Sequence, residues 1–245
     1  MAHVLRCSLA LEFAIVAASR KKKIAWGCAG VFVLALALFV VSARRFLFSQ
    51  ELDVVSIKTE QEYQDAALLE RAFALPVASR YAQATIVFQP NGSFCGPTSL
   101  ANVLRSLNDG GATPPSVTEG SGKCPLDICW GGLTLDELAE VARLRTQRRV
   151  TVLRDLSIAE FREHLAHSND PARRYVINFD RGPLFRKVGG HHSPIGGYLT
   201  KEDLVLVIDV NASYKPWLVR SDRLYQAMDT IDPSSEMKRG LLLIE

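Results

Sequence analysis

The sequence contains little cysteine, has no internal repeat and lacks a strong excess of either charge. Five cysteines in 245 residues are too few for a disulfide-stabilised scaffold. The net charge is only +3, and after residue 50 the chain carries 22 basic and 25 acidic residues. A mildly acidic globular part has no basic face for nucleic acid, so no nucleic-acid partner is expected. With 48% hydrophobic and 22% charged residues, the chain should form one globular domain plus an additional segment.

The additional segment is an uncharged run near the N-terminus. Residues 24–42 hold no charged side chain over nineteen positions, enough for a helix that crosses a bilayer. Arg20–Lys23 outweighs Arg44–Arg45, so the N-terminus is expected in the cytoplasm and the domain outside. Val41–Ala43 is typical of a signal-peptidase site, which leaves an uncleaved anchor and a cleaved signal both open. We expect an inner-membrane anchored or exported protein with its domain on the periplasmic or other extracytoplasmic side.

The rest of the chain is divided into a stalk at residues 46–57 and a domain at residues 58–245, after an N-terminal segment at residues 1–45. The front half is predicted mainly helical. A capping-box pattern at Thr59–Glu62 predicts a helix to about Ala74, and apolar spacing predicts another helix from Cys95. Tyr81–Phe88 is predicted as a strand and Asn108–Gly122 as an exposed loop.

The back half is predicted mainly as strands. Two capping boxes, at Thr134–Glu137 and Ser157–Glu160, open the remaining long helices. The predicted strands are Arg174–Asp180, Ser193–Thr200, Asp203–Val210 and Gly240–Glu245, with a short helix at Ser221–Asp229. This order predicts an α+β fold of two facing lobes, with a cleft between them for a site.

Cys95 and Gln89 together suggest an acyl-transfer site. Cys95 lies where a glycine-containing turn enters a helix, and a helix N-terminus favours a thiolate. A lone cysteine is otherwise most often a buried structural residue. Gln89 precedes Cys95 by six positions, and its side-chain N–H, with the Cys95 backbone N–H, could hold a developing oxyanion. A solvent-exposed loop glutamine is the ordinary alternative.

His191 and His192 are the candidate bases for this thiol. Neighbouring residues on a strand point to opposite faces, so the two are poorly placed to share a metal ion. One should face the cleft and the other should face away, and the residues alone leave His191 and His192 both open. Asp209 lies in an otherwise apolar predicted strand, where an unpaired carboxylate is costly. Its simplest partner is the imidazole, although a strand-end aspartate reaching solvent is also possible.

Cys124 and Cys129 lie close together in a polar region. In an oxidising compartment they could form a disulfide that closes a short loop. Two unrelated thiols are an equally good interpretation. Without nearby histidines they make a poor zinc site.

Four blocks of the sequence, in order, resemble the catalytic domain of phytochelatin synthases. They are QPNGSFCGPTSLANVL, GGHHSPIGGY, LVLVIDV and KRGLLLIE, and the similarity covers roughly Tyr81 to Glu245. The resemblance implies the short bacterial form and a papain-like fold, with a helical lobe carrying the cysteine and an antiparallel sheet lobe carrying histidine and aspartate. It also implies Cys95 as nucleophile, His191 as base, Asp209 as orienting acid and Gln89 in the oxyanion hole. His192 stands where the family usually has an aromatic residue.

The activity that the resemblance implies is cysteine-dependent acyl transfer on glutathione. The Cys–Gly bond is cleaved, glycine leaves, and the γ-Glu-Cys group passes to water or to a second glutathione. We expect hydrolysis to dominate. No organic cofactor is implied, no metal ligands are identified, and heavy-metal ions such as cadmium are expected to act as metal–glutathione thiolates.

Two departures from the family pattern affect the expected substrate contacts and domain organisation. Ala212 stands where the family usually has an arginine that helps to hold substrate, and Lys215 or a nearby arginine is the candidate substitute. The cysteine-rich C-terminal domain of the eukaryotic enzymes has no counterpart in this sequence. Two other functions stay open: a papain-like peptidase that cuts after double-glycine leader peptides, and a non-catalytic module that binds glutathione or metal thiolates. The oligomeric state is not predicted.

Overall fold

The computed structural model describes residues 54–124, 129 and 131–245. The predicted membrane span and most of the predicted stalk lie outside these residues. Among the helices that are described, none is both long and apolar enough to cross a membrane. Ile57, the last residue of the expected stalk, is completely buried. The folded domain therefore includes Ile57, one residue before the boundary expected at 58.

Helices make up most of the first half of the described chain, as predicted. A 3-10 turn at Ile57–Thr59 precedes α1 (Ala66–Phe73), α2 (Pro76–Gln83), α3 (Cys95–Ser106), α4 (Pro114–Thr118) and α5 (Leu135–Arg145). The second half adds α6 (Ile158–His167), α7 (Gly182–Phe185) and α8 (Ser221–Met228). Both later capping boxes are confirmed: Thr134 exchanges hydrogen bonds with Glu137 at the start of α5, and Ser157 does so with Glu160 at the start of α6.

An antiparallel sheet of six strands occupies the second half. The strands are β1 (Val150–Leu153), β2 (Arg174–Asp180), β3 (Gly190–Leu199), β4 (Leu204–Val207), β5 (Trp217–Arg220) and β8 (Leu241–Ile244), in the order β1-β8-β2-β3-β4-β5. A separate two-stranded ribbon joins β6 (Ile231–Asp232) to β7 (Met237–Lys238). The bounds of β2 are those predicted from the sequence. The α+β class is confirmed, with the cysteine on a helix and the histidines on the sheet.

Both faces of this sheet are buried, each in its own apolar cluster. On β2, Val176 packs in the cluster formed with α1 to α5, whereas Tyr175, Ile177 and Phe179 pack in the cluster that contains Trp217. The alternation follows directly from the two-residue period of a strand. Helix α3 packs against β3 on the first face. This packing brings the start of α3 to the start of β3, where the candidate site is formed.

The first predicted helix begins later than its capping pattern indicates. Ser56 caps the 3-10 turn, and α1 starts only after Asp65, whose carboxylate accepts a hydrogen bond from the first turn. In between, the buried ring of Tyr63 stacks on Trp217 with centroids 6.3 Å apart. The Tyr63 carbonyl also accepts a hydrogen bond from the backbone next to Trp217. These tertiary contacts hold the segment in turns and override the prediction at Thr59.

The strand predicted at Tyr81–Phe88 is not formed. Helix α2, which begins with Pro76 at its first position, continues past Tyr81. Val87 lies without helix or strand assignment, and its N–H and C=O both bond to the side chain of Asn102, each over 2.9 Å. An asparagine side chain thus satisfies the groups that a neighbouring strand would have paired.

The loop predicted at Asn108–Gly122 contains the one-turn helix α4. Thr113 and Ser116 form a capping box at its start, and Val117 is buried. Proline and serine at this position therefore indicate a helix start rather than an entirely exposed loop.

Candidate active site

Cys95 is the first residue of α3, and its thiol is almost fully buried. No side chain caps this helix, so the backbone N–H groups of Cys95 and Gly96 remain available to an anion. Gly96 follows, and a Cβ at this position would lie 3.6 to 3.7 Å from Leu133, Leu138 and His192. The thiol is thus held at a helix N-terminus in a closely packed environment. Cys95 is the free cysteine of the described residues.

The two histidines of β3 point to opposite faces of the sheet, as the strand period requires. His191 lies opposite Phe179 on β2, and His192 lies opposite Asn178. Of the two, His192 is the histidine that lies against the cysteine, whereas the ring of His191 contacts Asp209 and Phe179. His192 Nδ1 lies 3.8 Å from Cys95 Sγ. Both imidazoles nevertheless affect the ionisation of the thiol, since His191 and His192 each lower the pKa of Cys95.

His191 is paired with Asp209, as predicted. Its Nε2 lies 2.9 Å from Asp209 Oδ1, and both side chains are completely or almost completely buried. The second carboxylate oxygen accepts a hydrogen bond from Trp217 Nε1 over 2.9 Å, and the Asn211 backbone donates to the first over 2.8 Å. The carboxylate therefore has three donors. Asp209 itself lies two residues beyond β4, which is shorter than the predicted strand.

The protonation behaviour of the cluster follows from these contacts. Burial alone would raise the pKa of the Cys95 thiol, but hydrogen bonds to His191 and His192 lower it well below its usual range. Burial would lower the pKa of His191, but the bond to Asp209 raises it above its ordinary value. Burial also opposes ionisation of Asp209, yet the bond to His191 holds its pKa below normal. The arrangement favours a thiolate beside an imidazolium, the form that a nucleophilic cysteine needs.

A second chain of contacts lies behind His192. Its Nε2 is 2.7 Å from Asn178 Nδ2, and Arg239 Nη1 donates to Asn178 Oδ1 over 2.9 Å. Arg239 is in turn 3.3 Å from Asp232 Oδ2. Ser99 Oγ on α3 donates to the His192 carbonyl over 2.9 Å. His192 is therefore fixed from both its ring and its backbone.

Gln89 lies close to the Asp209 end of the cluster. Its backbone N–H donates to the carbonyl of Val210 over 2.7 Å. Its side chain is half-buried, and within the described part of the chain its Oε1 accepts no hydrogen bond. The backbone bond ties Gln89 to the residue after Asp209, in keeping with a place at the site.

A cleft of about 110 Å³ opens beside the thiol. Its lining residues are Gly92, Cys95, Gly131, Gly132, Leu133, Asn178, Gly190, His192, Asp232, Pro233, Ser234 and Arg239. Two of them, Gly131 and Gly132, have positive φ angles of 75° and 89°, which favour glycine. They follow Cys129, which forms a disulfide with Cys124. Of the two interpretations of these cysteines, the bridge is the one found.

The segment with the family departure lies next to Asp209. Ala212 is exposed in the turn before Tyr214, and Lys215 is exposed beside it. Arg181, from the end of β2, places Nη2 3.3 Å from His191 Nδ1, and its guanidinium lies 5.6 Å from the Tyr214 ring centroid. Arg181 is thus the arginine that the structure puts beside the candidate base. Within the described ranges, no group of three or more potential ligands could hold a metal ion.

The polar residues of this site that sequence reasoning missed include Asn178, Arg239 and Trp217. The signal for Asn178 was a single amide in the apolar strand YVINF, and the signal for Arg239 was its place in the KRGLLLIE block. Both are buried, and a buried polar group needs partners. Which partners they find depends on the sheet order and was not readable from spacing.

The chain matches the family model described as phytochelatin synthase over residues 49–241. A glutathione gamma-glutamylcysteinyltransferase of Schizosaccharomyces pombe is 29% identical over 174 residues, covering 65% of this chain and 41% of the relative. Glutathione gamma-glutamylcysteinyltransferase 2 of Arabidopsis thaliana is 30% identical over 222 residues, covering 82% of this chain and 46% of the relative. The chain thus spans less than half the length of these curated relatives.

Two peptidases are among the solved structures to which the chain is similar. The peptidase domain of Streptococcus ComA, a bi-functional ABC transporter, is 17% identical with a TM-score of 0.45, covering 64% of this chain and 93% of that domain. A putative C39-like peptidase from Bacillus anthracis is 14% identical with a TM-score of 0.48. The match covers 67% of this chain and 96% of that peptidase.

Proposed function

The chain belongs to the phytochelatin synthase family, and on that premise we propose that it transfers the γ-Glu-Cys group of glutathione through a thioester on Cys95. The observation that carries the proposal is the Cys95 thiol at the start of α3, which lies 3.8 Å from His192 Nδ1 and has its pKa lowered by both His191 and His192. One of these, His191, is paired with the buried Asp209 over 2.9 Å. A lowered thiol pKa, a histidine and an acid are the components of a cysteine acyl-transfer site.

In the proposed acylation step, the Cys95 thiolate attacks the carbonyl carbon of the Cys–Gly bond. The negative charge that develops on oxygen is held by the Cys95 backbone N–H and the Gln89 side-chain N–H. The protonated His191 gives its proton to the glycine nitrogen as the C–N bond breaks. Glycine leaves, and γ-Glu-Cys stays bound to Sγ as a thioester.

In the proposed second step, His191 acts as the base. It takes a proton from water, which gives free γ-Glu-Cys, or from the amino group of a second glutathione, which gives a longer peptide. The electron pair of the breaking C–S bond returns to Cys95 Sγ. We expect hydrolysis to exceed transpeptidation, because Ala212 replaces a basic residue in the segment that is expected to hold substrate. Heavy-metal ions such as cadmium enter as metal–glutathione thiolates and require no resident metal site.

The proposal also covers where the protein lies relative to a membrane. We expect residues 24–42 to anchor or export the protein and the catalytic domain to lie on the extracytoplasmic side, from the charge distribution around that segment. The Cys124–Cys129 disulfide is in keeping with an oxidising compartment.

The test uses the full-length chain, purified in mild detergent and assayed with glutathione with and without cadmium. Free glycine, γ-Glu-Cys and longer peptides are followed by mass spectrometry. We expect glycine release from the wild type and none above background from Cys95→Ala, because the thioester cannot form without the thiol. If the folded wild type releases no glycine, glutathione is not its substrate, and double-glycine peptides become the substrates to assay.

A further inference from the structure

The hydrogen bonds behind His192 determine which of its ring nitrogens carries the proton. Arg239 can only donate, so the Asn178 atom that faces its Nη1 at 2.9 Å must be the carbonyl oxygen. The Asn178 amide N–H group is then the atom that faces His192 Nε2 at 2.7 Å. Nε2 must therefore accept, and in the neutral ring the proton is on Nδ1.

The buried ion pair of Arg239 supports this orientation of the Asn178 side-chain amide. Arg239 is held by Asp232 over 3.3 Å and is only 5% exposed. If the Asn178 amide were reversed, its NH₂ group would face the guanidinium, so that two buried donors would oppose each other, which is costly. A Cβ at position 190 would lie 2.4 Å from Arg239 Nη1, so Gly190 leaves the space that this guanidinium occupies.

The partners of His191 place the proton on the other ring nitrogen. Asp209 is ionised and can only accept, so His191 Nε2, 2.9 Å away, carries the proton. In the neutral ring Nδ1 is then the acceptor, and the Arg181 guanidinium lies 3.3 Å from it. The two adjacent histidines are thus held in opposite tautomers.

We propose that His192 is a second catalytic residue, a fixed donor whose Nδ1–H stabilises the Cys95 thiolate, while His191 alone serves as base. His192 Nδ1 lies 3.8 Å from Sγ and already carries a proton, so it cannot take the thiol proton. Asn178 and Arg239 are positioning residues that hold its tautomer. The ionisable groups around the thiol are His191 and His192, with Asp209 behind the first and the Arg239–Asp232 pair behind Asn178.

This role rests on the proposed thioester chemistry and extends it to the second step. When water or an amine attacks the thioester, the C–S bond breaks and Sγ leaves as a thiolate. The Nδ1–H of His192 is positioned to bond to that sulfur as its charge develops. A donor at this position therefore stabilises Cys95 both as the nucleophile and as the leaving group.

The first experiment measures how fast iodoacetamide alkylates Cys95 across a pH series, in the full-length protein. Mass spectrometry of the Cys95 peptide separates this thiol from the others. We expect the midpoint of the rate profile in His192→Phe to lie about one pH unit or more above that of the wild type, because a donor to a charged sulfur is lost. In His192→Asn, whose amide N–H occupies about the place of Nδ1–H, the midpoint should stay close to the wild-type value.

Equal midpoints in folded wild type and folded His192→Phe would refute the donor role. A midpoint raised equally in His192→Asn and His192→Phe would refute it too, since loss of packing alone would then explain both. Near-ultraviolet circular dichroism establishes that each variant is folded.

The second experiment uses only the wild type, so its result does not depend on whether a variant folds. Nitrogen-15 NMR of the wild type labelled at histidine reports which ring nitrogen of each residue is protonated. The proposal requires Nδ1–H for His192, and a proton on Nε2 alone would overturn it. Alkylation and NMR involve no glutathione. If the protein releases no glycine yet shows the expected midpoint shift, only the assignment of glutathione as substrate is refuted, and the role of His192 stands.

Discussion

The residues of the candidate site combine almost complete burial with almost complete pairing. His191, His192 and Asp209 are each at most 1% exposed, where an unpaired charge is expensive. The Asp209 carboxylate accepts from His191, Trp217 and the Asn211 backbone, so its charge is compensated by three donors. This satisfied network keeps the acid ionised at the centre of the fold and gives His191 its raised pKa.

Asp209→Asn is the first prediction at the residue scale. Loss of the carboxylate lowers the pKa of His191, so the imidazolium persists only to a lower pH, and the alkaline limb of the kcat/KM profile for glycine release moves down in pH. The asparagine amide can also donate to Nε2 and impose the other tautomer. We expect kcat/KM near neutral pH to fall by roughly 100-fold or more, by analogy with triads that lose their acid.

The matched control is Asp229→Asn, which removes the same charge from a partly exposed pair with Lys238. Its pH profile should coincide with that of the wild type. An unchanged alkaline limb in folded Asp209→Asn would contradict the assignment of Asp209 as the group that sets the His191 pKa.

At the scale of elements, the turn into β8 is the most tightly constrained feature near the site. A Cβ on Gly240 would lie 2.1 Å from the carbonyl oxygen of Leu153 at the end of β1, far inside van der Waals contact. The Gly240 carbonyl accepts a hydrogen bond from the Asn178 backbone over 2.9 Å. Gly240 therefore allows β1, β2 and β8 to approach closely, and this approach places Asn178 beside His192.

Gly240→Ala should lower the free energy of unfolding by about 3 kcal/mol, because backbone atoms must move to relieve the overlap. Urea unfolding followed by circular dichroism measures this quantity. Gly110→Ala is the control, since a Cβ there meets nothing within 4 Å, and its stability should stay within about 0.5 kcal/mol of the wild type. If the two variants had similar free energies of unfolding, β1 and β8 could move apart at little cost, and the prediction for Gly240→Ala would be wrong.

At the scale of the whole molecule, the site joins parts of the chain that are far apart in sequence. The start of α3 brings Cys95, β3 brings the histidines, β2 brings Asn178, and the segment before β8 brings Arg239. The sheet order places β2 between β3 and β8, which is why Asn178 can reach both His192 and Arg239. The helices on the first face hold Cys95 against this sheet.

The Cys124–Cys129 disulfide provides the prediction at this scale. It closes a loop with a sequence separation of five, for which chain entropy gives a stabilisation of about 2 kcal/mol. Dithiothreitol should therefore lower the free energy of unfolding of the wild type by about that amount.

A double variant, Cys124→Ser with Cys129→Ser, should have the stability of the reduced protein and respond to no reductant. If dithiothreitol leaves the wild type unchanged while mass spectrometry shows both thiols free, the bridge contributes nothing to stability.

The sequence by itself determined the features that depend on neighbouring residues. The capping boxes at Thr134 and Ser157 start their helices through hydrogen bonds made within four residues, whereas the contacts of Tyr63 with Trp217 override the similar pattern at Thr59. The apolar run of β2 had the predicted bounds, and the motif around Cys95 gave the start of α3. The pairing of Asp209 with a histidine followed from the cost of burying a lone carboxylate.

Only the tertiary structure decided what depends on distant partners. Asn102 replaces a strand partner for Val87, which is why the predicted strand there is absent. The two histidines are chemically identical in sequence, and their different ring protons come from Asp209 on one side and Asn178 on the other. A tautomer is set by the donor or acceptor that the fold brings to the ring, and no spacing along the chain contains that information.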